Sequence, residues 1–171
     1  MLLASSYQLN AQSRHHSHKR ITGHRVSRDK VVYKTPKRKV LSYRALPGRS
    51  VVNYKGIKYY YKGNKYYAYS GGRYISIVPK IGFKINVLPI GYLKIHHNNI
   101  DYYWYDGVFY NRIGRGYEVI EPEIGTVVSE LPHDHEKVQI DGLIYYEFNN
   151  VLYEKIQLKG TRAYEIVGFI D

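Results

Sequence analysis

From about residue 50 onward, apolar and polar positions alternate in short runs broken by pairs of Gly, Asn and Asp. In Ile100-Asp101-Tyr102-Tyr103-Trp104-Tyr105 the period of two puts Ile100, Tyr102 and Trp104 on one face, and Asp101, Tyr103 and Tyr105 on the other. No window carries apolar residues at the i, i+3, i+4, i+7 spacing of an amphipathic helix. Short strands with turn signals about every eight to twelve residues predict an all-β chain, either sandwich or barrel. Lys55-Gly56, Asn98-Asn99 and Asp141-Gly142 fit hairpin turns that need residues at positive φ.

The pattern repeats. Shifting the chain by 43 residues aligns Tyr59-Tyr60 with Tyr102-Tyr103 and Tyr145-Tyr146, and Tyr66-Tyr67 with Phe109-Tyr110 and Leu152-Tyr153. Tyr74 then matches Tyr117, and Tyr164 follows after a four-residue insertion around Leu158 to Thr161. Leu46-Pro47, Leu88-Pro89 and Leu131-Pro132 set the phase, giving antiparallel β units over roughly 39–81, 82–124 and 125–171. Pro79-x-x-Gly82 and Pro122-x-x-Gly125 read as turns between units. A unit this short buries too little surface to stand alone, so the units are expected to share a core or pack end to end, as small barrels or as one meandering sheet. Positions that recur belong to the scaffold. Tyr61, Trp104 and Glu147 occupy one position and differ, which predicts a rim or an exposed site there.

Composition supports strands, because the 21 tyrosines suit cross-strand pairs. With no cysteine, disulfides cannot supply the missing stability. Charge divides the molecule along its length. Residues 39–81 hold nine basic residues and no acid, 82–124 four basic and five acidic, and 125–171 four basic and eight acidic. Such a basic end attracts anionic surfaces, and it could also meet the acidic end of a second copy.

Residues 1–12 resemble the latter part of a secretory signal, with small apolar residues and an Asn-Ala-Gln end before Ser13. The positively charged start is missing, so the recorded start is expected to lie inside a longer signal; the alternative is an ordinary frayed terminus. The stretch is too short to span a membrane. Residues 13–38 carry nine Lys or Arg against Asp29 alone and show no period, which predicts a disordered basic arm: a linker, or a contact for polyanions. Its His15, His16 and His18 could at most collect a metal loosely.

Lys37, Arg38, Lys39, Lys55, Lys58, Lys62 and Lys65 are the candidate polyanion contacts. Lysines at these strand positions also guard exposed edges against pairing. Tyr61, Trp104 and Tyr105 are the candidate aromatic contacts for sugars or bases, against a packing role for the same rings. His96-His97 and His133-Asp134-His135 fall in loops without a third metal ligand in view. Glu118, Glu121 and Glu123 read as surface carboxylates. The sequence holds no phosphate loop and no nucleophile elbow, so no catalytic residue, metal site or cofactor is assigned and a non-enzymatic role is expected.

In combination, Leu88-Pro89-x-Gly91-Tyr92, Tyr102-Tyr103, Asp106-Gly107-x-Phe109-Tyr110, Gly116-Tyr117-x-Val119, Pro122-x-x-Gly125 and Val128-x-x-Leu131-Pro132 resemble an uncharacterised, tyrosine-rich family of exported proteins common in Bacteroidota, a domain of unknown function. The likeness covers residues 80–170, and 40–80 more loosely. The chain departs from the family pattern at Pro122-Glu123, where a second proline is commoner. The resemblance implies an exported β protein, periplasmic, outer-membrane-associated or secreted, and carries over no catalytic residue. The reading of the whole chain is a β-repeat protein binding an anionic envelope polymer or a glycan, or assembling with itself. The alternative is a nucleic-acid-binding protein that uses the interleaved Lys and Tyr of the first unit.

Overall fold

The structure, a computed structural model, describes Ile21, residues 24–35 and residues 40–171. It is all β; among the described residues the only helical turn is a single 3-10 turn at Arg28–Lys30. Three separate sheets follow one another along the chain. The first holds β3 (Ser42–Tyr43), β4 (Ser50–Tyr54), β5 (Ile57–Lys62), β6 (Lys65–Ser70) and β7 (Arg73–Ile77). The second holds β8 (Lys84–Ile85), β9 (Leu93–His97), β10 (Ile100–Tyr105), β11 (Val108–Ile113) and β12 (Gly116–Ile120). The third holds β13 (Val127–Val128), β14 (Glu136–Ile140), β15 (Leu143–Phe148), β16 (Val151–Leu158) and β17 (Thr161–Ile170), and recruits β1 (His24–Val26) and β2 (Val32–Tyr33).

The strand order is the same in each: a two-residue strand pairs with the last strand, which leads back through a four-stranded antiparallel meander. Register agrees residue by residue. Tyr60 faces Tyr67, Tyr103 faces Tyr110 and Tyr146 faces Tyr153 across the central hairpins. Turn chemistry fixes that register, since the left-handed pair Lys55 and Gly56 (φ 49° and 76°) recurs at Asn98–Asn99 and at Asp141–Gly142. The insertion near Leu158 lengthens the β16–β17 hairpin, whose ladder runs out to the pair Leu158 and Thr161.

The sheets stack face against face. One face of the first sheet presents Tyr59, Tyr61 and Tyr66 to Phe83, Ile85, Leu88, Tyr110 and Val119 of the second. Phe83 is the hub, with ring centroids 5.0 Å from Tyr54, 5.2 Å from Tyr59 and 5.2 Å from Tyr66. The second sheet turns its other face, bearing Tyr102, Trp104 and Phe109, onto Val128, Val151, Tyr153 and Ile166 of the third. Edge-to-face aromatic pairs of this kind add about 0.5–1.5 kcal/mol each beyond the area they bury.

The far face of the third sheet corrects the expectation of a disordered arm. Residues 24–33 form two short strands joined through the 3-10 turn: β1 pairs in parallel with β17, and β2 pairs with β14 at the opposite edge. Between them Ile21, Val26 and Val31 cover Val138, Ile140, Tyr145, Leu152, Val167 and Ile170. Without this strap those six side chains would face water, which is the physical reason a basic, aperiodic segment folds. Arg25 fastens it to Glu121 (3.0 Å) and Asp171 (3.5 Å), so Glu121 is more than a solvated carboxylate. The secretion-signal reading of 1–12, His15, His16 and His18 lie outside the described residues.

Candidate functional site

Among the described residues, the stack leaves one outer face without a covering sheet, the outer side of the first. It carries Leu46, Tyr67 and Tyr74, with Tyr60 packed against them. Around these, Tyr43, Val51 and Tyr69 are 42%, 55% and 54% exposed. The equivalent faces of the second and third sheets are covered by the preceding sheet.

The packing under this face repeats in every sheet. A residue from the loop after Leu-Pro leans on the second Tyr of the Tyr-Tyr pair, which meets the Tyr of the last strand edge-on. The triples are Arg49, Tyr60 and Tyr74; Tyr92, Tyr103 and Tyr117; and His135, Tyr146 and Tyr164. Only the open face puts a permanent cation in the leaning position. The Arg49 guanidinium sits 5.4 Å from the Tyr60 ring centroid and 4.8 Å from that of Tyr74, and it donates to Leu46 O at 3.2 Å. Sequence reasoning passed over Arg49; the signal was available in the repeat, because Arg49, Tyr92 and His135 are 43 residues apart. His135 is thereby a packing group: its Nδ1 lies 2.7 Å from Pro132 O and its ring 5.6 Å from that of Tyr146.

Of the candidate polyanion contacts, Lys58 and Lys62 share the open face with Tyr60, and Lys55 lies at its rim in the β4–β5 turn; all three are exposed. Lys62 donates to Pro47 O. The aromatic residues Tyr105 and Phe148 hold the place of Lys62 in the second and third sheets, where they pack between layers. Lys65 goes elsewhere, its Nζ 3.9 Å from Asp134 of the third unit. Lys37, Arg38 and Lys39 lie outside the described residues.

The candidate aromatic contacts do not form an open stripe. Trp104 is 3% exposed, because the middle sheet of a stack has no wet face and both sides of its alternation are core. Tyr61 and Tyr105 are half-buried between the first two sheets and meet through Asn64: the Tyr61 hydroxyl donates to its Oδ1 at 2.8 Å, and its Nδ2 donates to the Tyr105 hydroxyl at 3.1 Å. Burial, and then the neighbouring Tyr105, raise the pKa of Tyr61. At the same repeat position in the third sheet stands Glu147, 7% exposed and not on a rim. Its Oε1 accepts the Asn150 amide at 2.7 Å, and Glu136 lies directly across the ladder. Burial first, then the Glu136 charge, hold its pKa above the usual carboxylate range.

Among the described residues no group of three or more His, Cys, Asp or Glu is placed to hold a metal ion, and no helix is long and apolar enough to cross a membrane. No curated protein and no solved structure matches this chain. A family model does, over residues 38–169, which takes in all three sheets and leaves out the strap, and on that match the chain belongs to the family of unknown function DUF6515.

Proposed function

We propose that this chain is a non-enzymatic envelope or secreted protein, built from copies of one β module, that binds an anionic polymer through the open face of its first sheet. One observation carries the reading: the single sheet face that no other described residues cover is also the one where Lys62 and Arg49 replace the aromatic or imidazole groups of the other sheets. The surrounding unit, 39–81, contains no acid to neutralise them. Cations at those places oppose the docking of another aromatic sheet and favour polyanions, whose binding releases counterions. The small apolar residues of 1–12 support export.

The test is binding of the full chain to polygalacturonate, and in parallel to a 20-nucleotide oligo-dT, across a salt series. Affinity for polygalacturonate should fall steeply with salt. Each lysine near an anionic surface contributes about 1 kcal/mol, so the Lys58→Glu/Lys62→Glu pair should cost at least roughly thirtyfold. The control pair Lys155→Glu/Lys159→Glu should cost little. Tight binding to oligo-dT alone, with quenched tyrosine fluorescence, would favour nucleic acid. Equal losses in both charge-reversed pairs would sink the face as the site. Recovery of the protein in the cytoplasmic fraction of its native host would refute export.

A further inference from the structure

The sheets of this chain dock by one repeated rule, and the strap stands where that rule would place a further sheet. Val52, Tyr54, Tyr59 and Tyr66 of the first sheet lie against the second. Their repeat equivalents in the third, Val138, Ile140, Tyr145 and Leu152, lie against the strap. The strap even copies a detail of sheet docking. The Tyr102 hydroxyl accepts the Glu123 N–H at 3.3 Å, where the chain enters the third unit, and the Tyr145 hydroxyl accepts the Ile21 N–H of the strap at 3.2 Å.

At the other end of the stack the complementary face is uncovered among the described residues. Leu41 is 44% exposed there, and Tyr43 nearly as much. The Leu41 carbonyl accepts the Ser76 N–H as the Phe83 carbonyl accepts Val119 and the Thr126 carbonyl accepts Ile166. Tyr43 pairs with Tyr74 as Ile85 pairs with Tyr117 and Val128 with Tyr164. The equivalents Phe83, Ile85, Thr126 and Val128 are all buried.

Charge makes the two ends complementary. Inside the chain, Tyr61 meets Tyr105 through Asn64, and Trp104 shares the next core with Phe148. Tyr61, Trp104 and Glu147 hold one repeat position, and Lys62, Tyr105 and Phe148 another. Carried one repeat further, the series sets Glu147 against Lys62 of a second copy, a carboxylate against an ammonium where the inner layers pair aromatic rings. The units agree in sign: 39–81 holds nine basic residues and no acid, and 125–171 holds eight acidic and four basic. Lys62 opposes an aromatic sheet, but this one face offers it a counter-charge.

We propose that the strap covers a docking site for a second copy of this chain: the open face of one molecule's first sheet continues another's stack beyond its third sheet, and the strap blocks that contact while in place. The contact joins unlike faces, so it does not close on itself, and each added copy presents a fresh end. Capping elements keep other repeat proteins apart in the same way. The assignment does not rest on the polyanion reading.

The test is sedimentation of the full chain across a concentration series, with no polyanion added. Val31→Asp sets a carboxylate against Val138 and Ile140 and so frees the strap. That variant should associate, with a mass that keeps rising with concentration beyond the dimer. Adding Lys62→Glu turns the pair into like charges and should weaken association at least about tenfold; adding Glu147→Lys as well should restore it. This exchange separates docking from mere adhesion of exposed apolar side chains. A second measurement leaves the strap unaltered. The chain has no cysteine, and the second sheet keeps Lys62 and Glu147 of one molecule apart, at about 10 Å per layer. Oxidation of Lys62→Cys/Glu147→Cys should therefore give a ladder of linked copies through local opening of the strap, where either single variant stops at a dimer. A folded Val31→Asp that stays monomeric would overturn the assignment, as would association indifferent to the charge exchange. Should Val31→Asp not fold, the absence of a ladder would overturn it instead.

Discussion

Glu147 stands where the other two sheets place an aromatic ring, and the substitution has a thermodynamic consequence. Its carboxyl is buried and lies across the β14–β15 ladder from Glu136, so its folded-state pKa is raised, by burial first. A carboxyl raised on folding is favoured in its protonated form, so its ionisation costs stability. Stability from this group is therefore full below the unfolded pKa and is lost as pH rises through the folded value. Glu147→Gln keeps an oxygen to accept the Asn150 amide and supplies an N–H toward Glu136 at every pH. The variant should melt a few degrees higher than the wild type at pH 7 and differ little from it near pH 4. Thermal melts at both values check this. A variant less stable at pH 7 would mean that the charged form is the one this structure favours.

At the scale of the element, turns do two jobs that one glycine substitution each can separate. Gly56 and Gly107 both sit at positive φ, 76° and 86°. Around Gly56 an added Cβ meets nothing within 4 Å, whereas at Gly107 it would lie 2.4 Å from Phe148 Cδ1 and 2.7 Å from Pro132 Cγ. Gly56→Ala should therefore cost only the left-handed backbone penalty, about 1–2 kcal/mol. Gly107→Ala carries that plus a clash between the second and third sheets, and should cost at least about 2 kcal/mol more by urea denaturation. Equal losses would mean that Phe148 and Pro132 yield freely. The turns themselves were legible in Lys55-Gly56, Asn98-Asn99 and Asp141-Gly142, because positive φ is a property of the residue pair. The contact at Gly107 was not, since it joins Gly107 to Pro132 and Phe148, distant in sequence, through packing that no local pattern encodes. Trp104 shows the same limit. Period two assigned it to a face correctly, but the pattern does not say whether that face meets water or another sheet. Val26 and Val31 were missed for the opposite reason: the segment they belong to is ordered by what it covers, not by its own alternation.

Across the whole molecule, the order of layers predicts where stability resides. The buried contacts run between adjacent layers, the exposed Lys65–Asp134 ion pair aside, so local opening should follow how completely a sheet is covered. The third sheet is covered on both sides and holds side chains at 0% exposure in both layers, including Val138, Leu152, Tyr153 and Ile166. Among the described residues, the first is covered on one side only. Native-state hydrogen exchange should therefore show β16 and β17 as the slowest strands, and β3 and β4 among the fastest. The strap supplies the decisive variant. Val31 is 8% exposed within the cover of the third sheet, and Val31→Asp would bury a carboxylate against Val138 and Ile140. If residues 24–33 cap the stack, this change should cost more than about 2 kcal/mol of protection in β14 to β17. The β5 and β6 amides, two layers away, should lose much less. Unchanged exchange in β14 to β17 would show that the strap merely rests on the third sheet. Uniform loss across all three sheets would show one cooperative unit instead of coupled layers, and would remove the physical basis for treating the open face as an independent end.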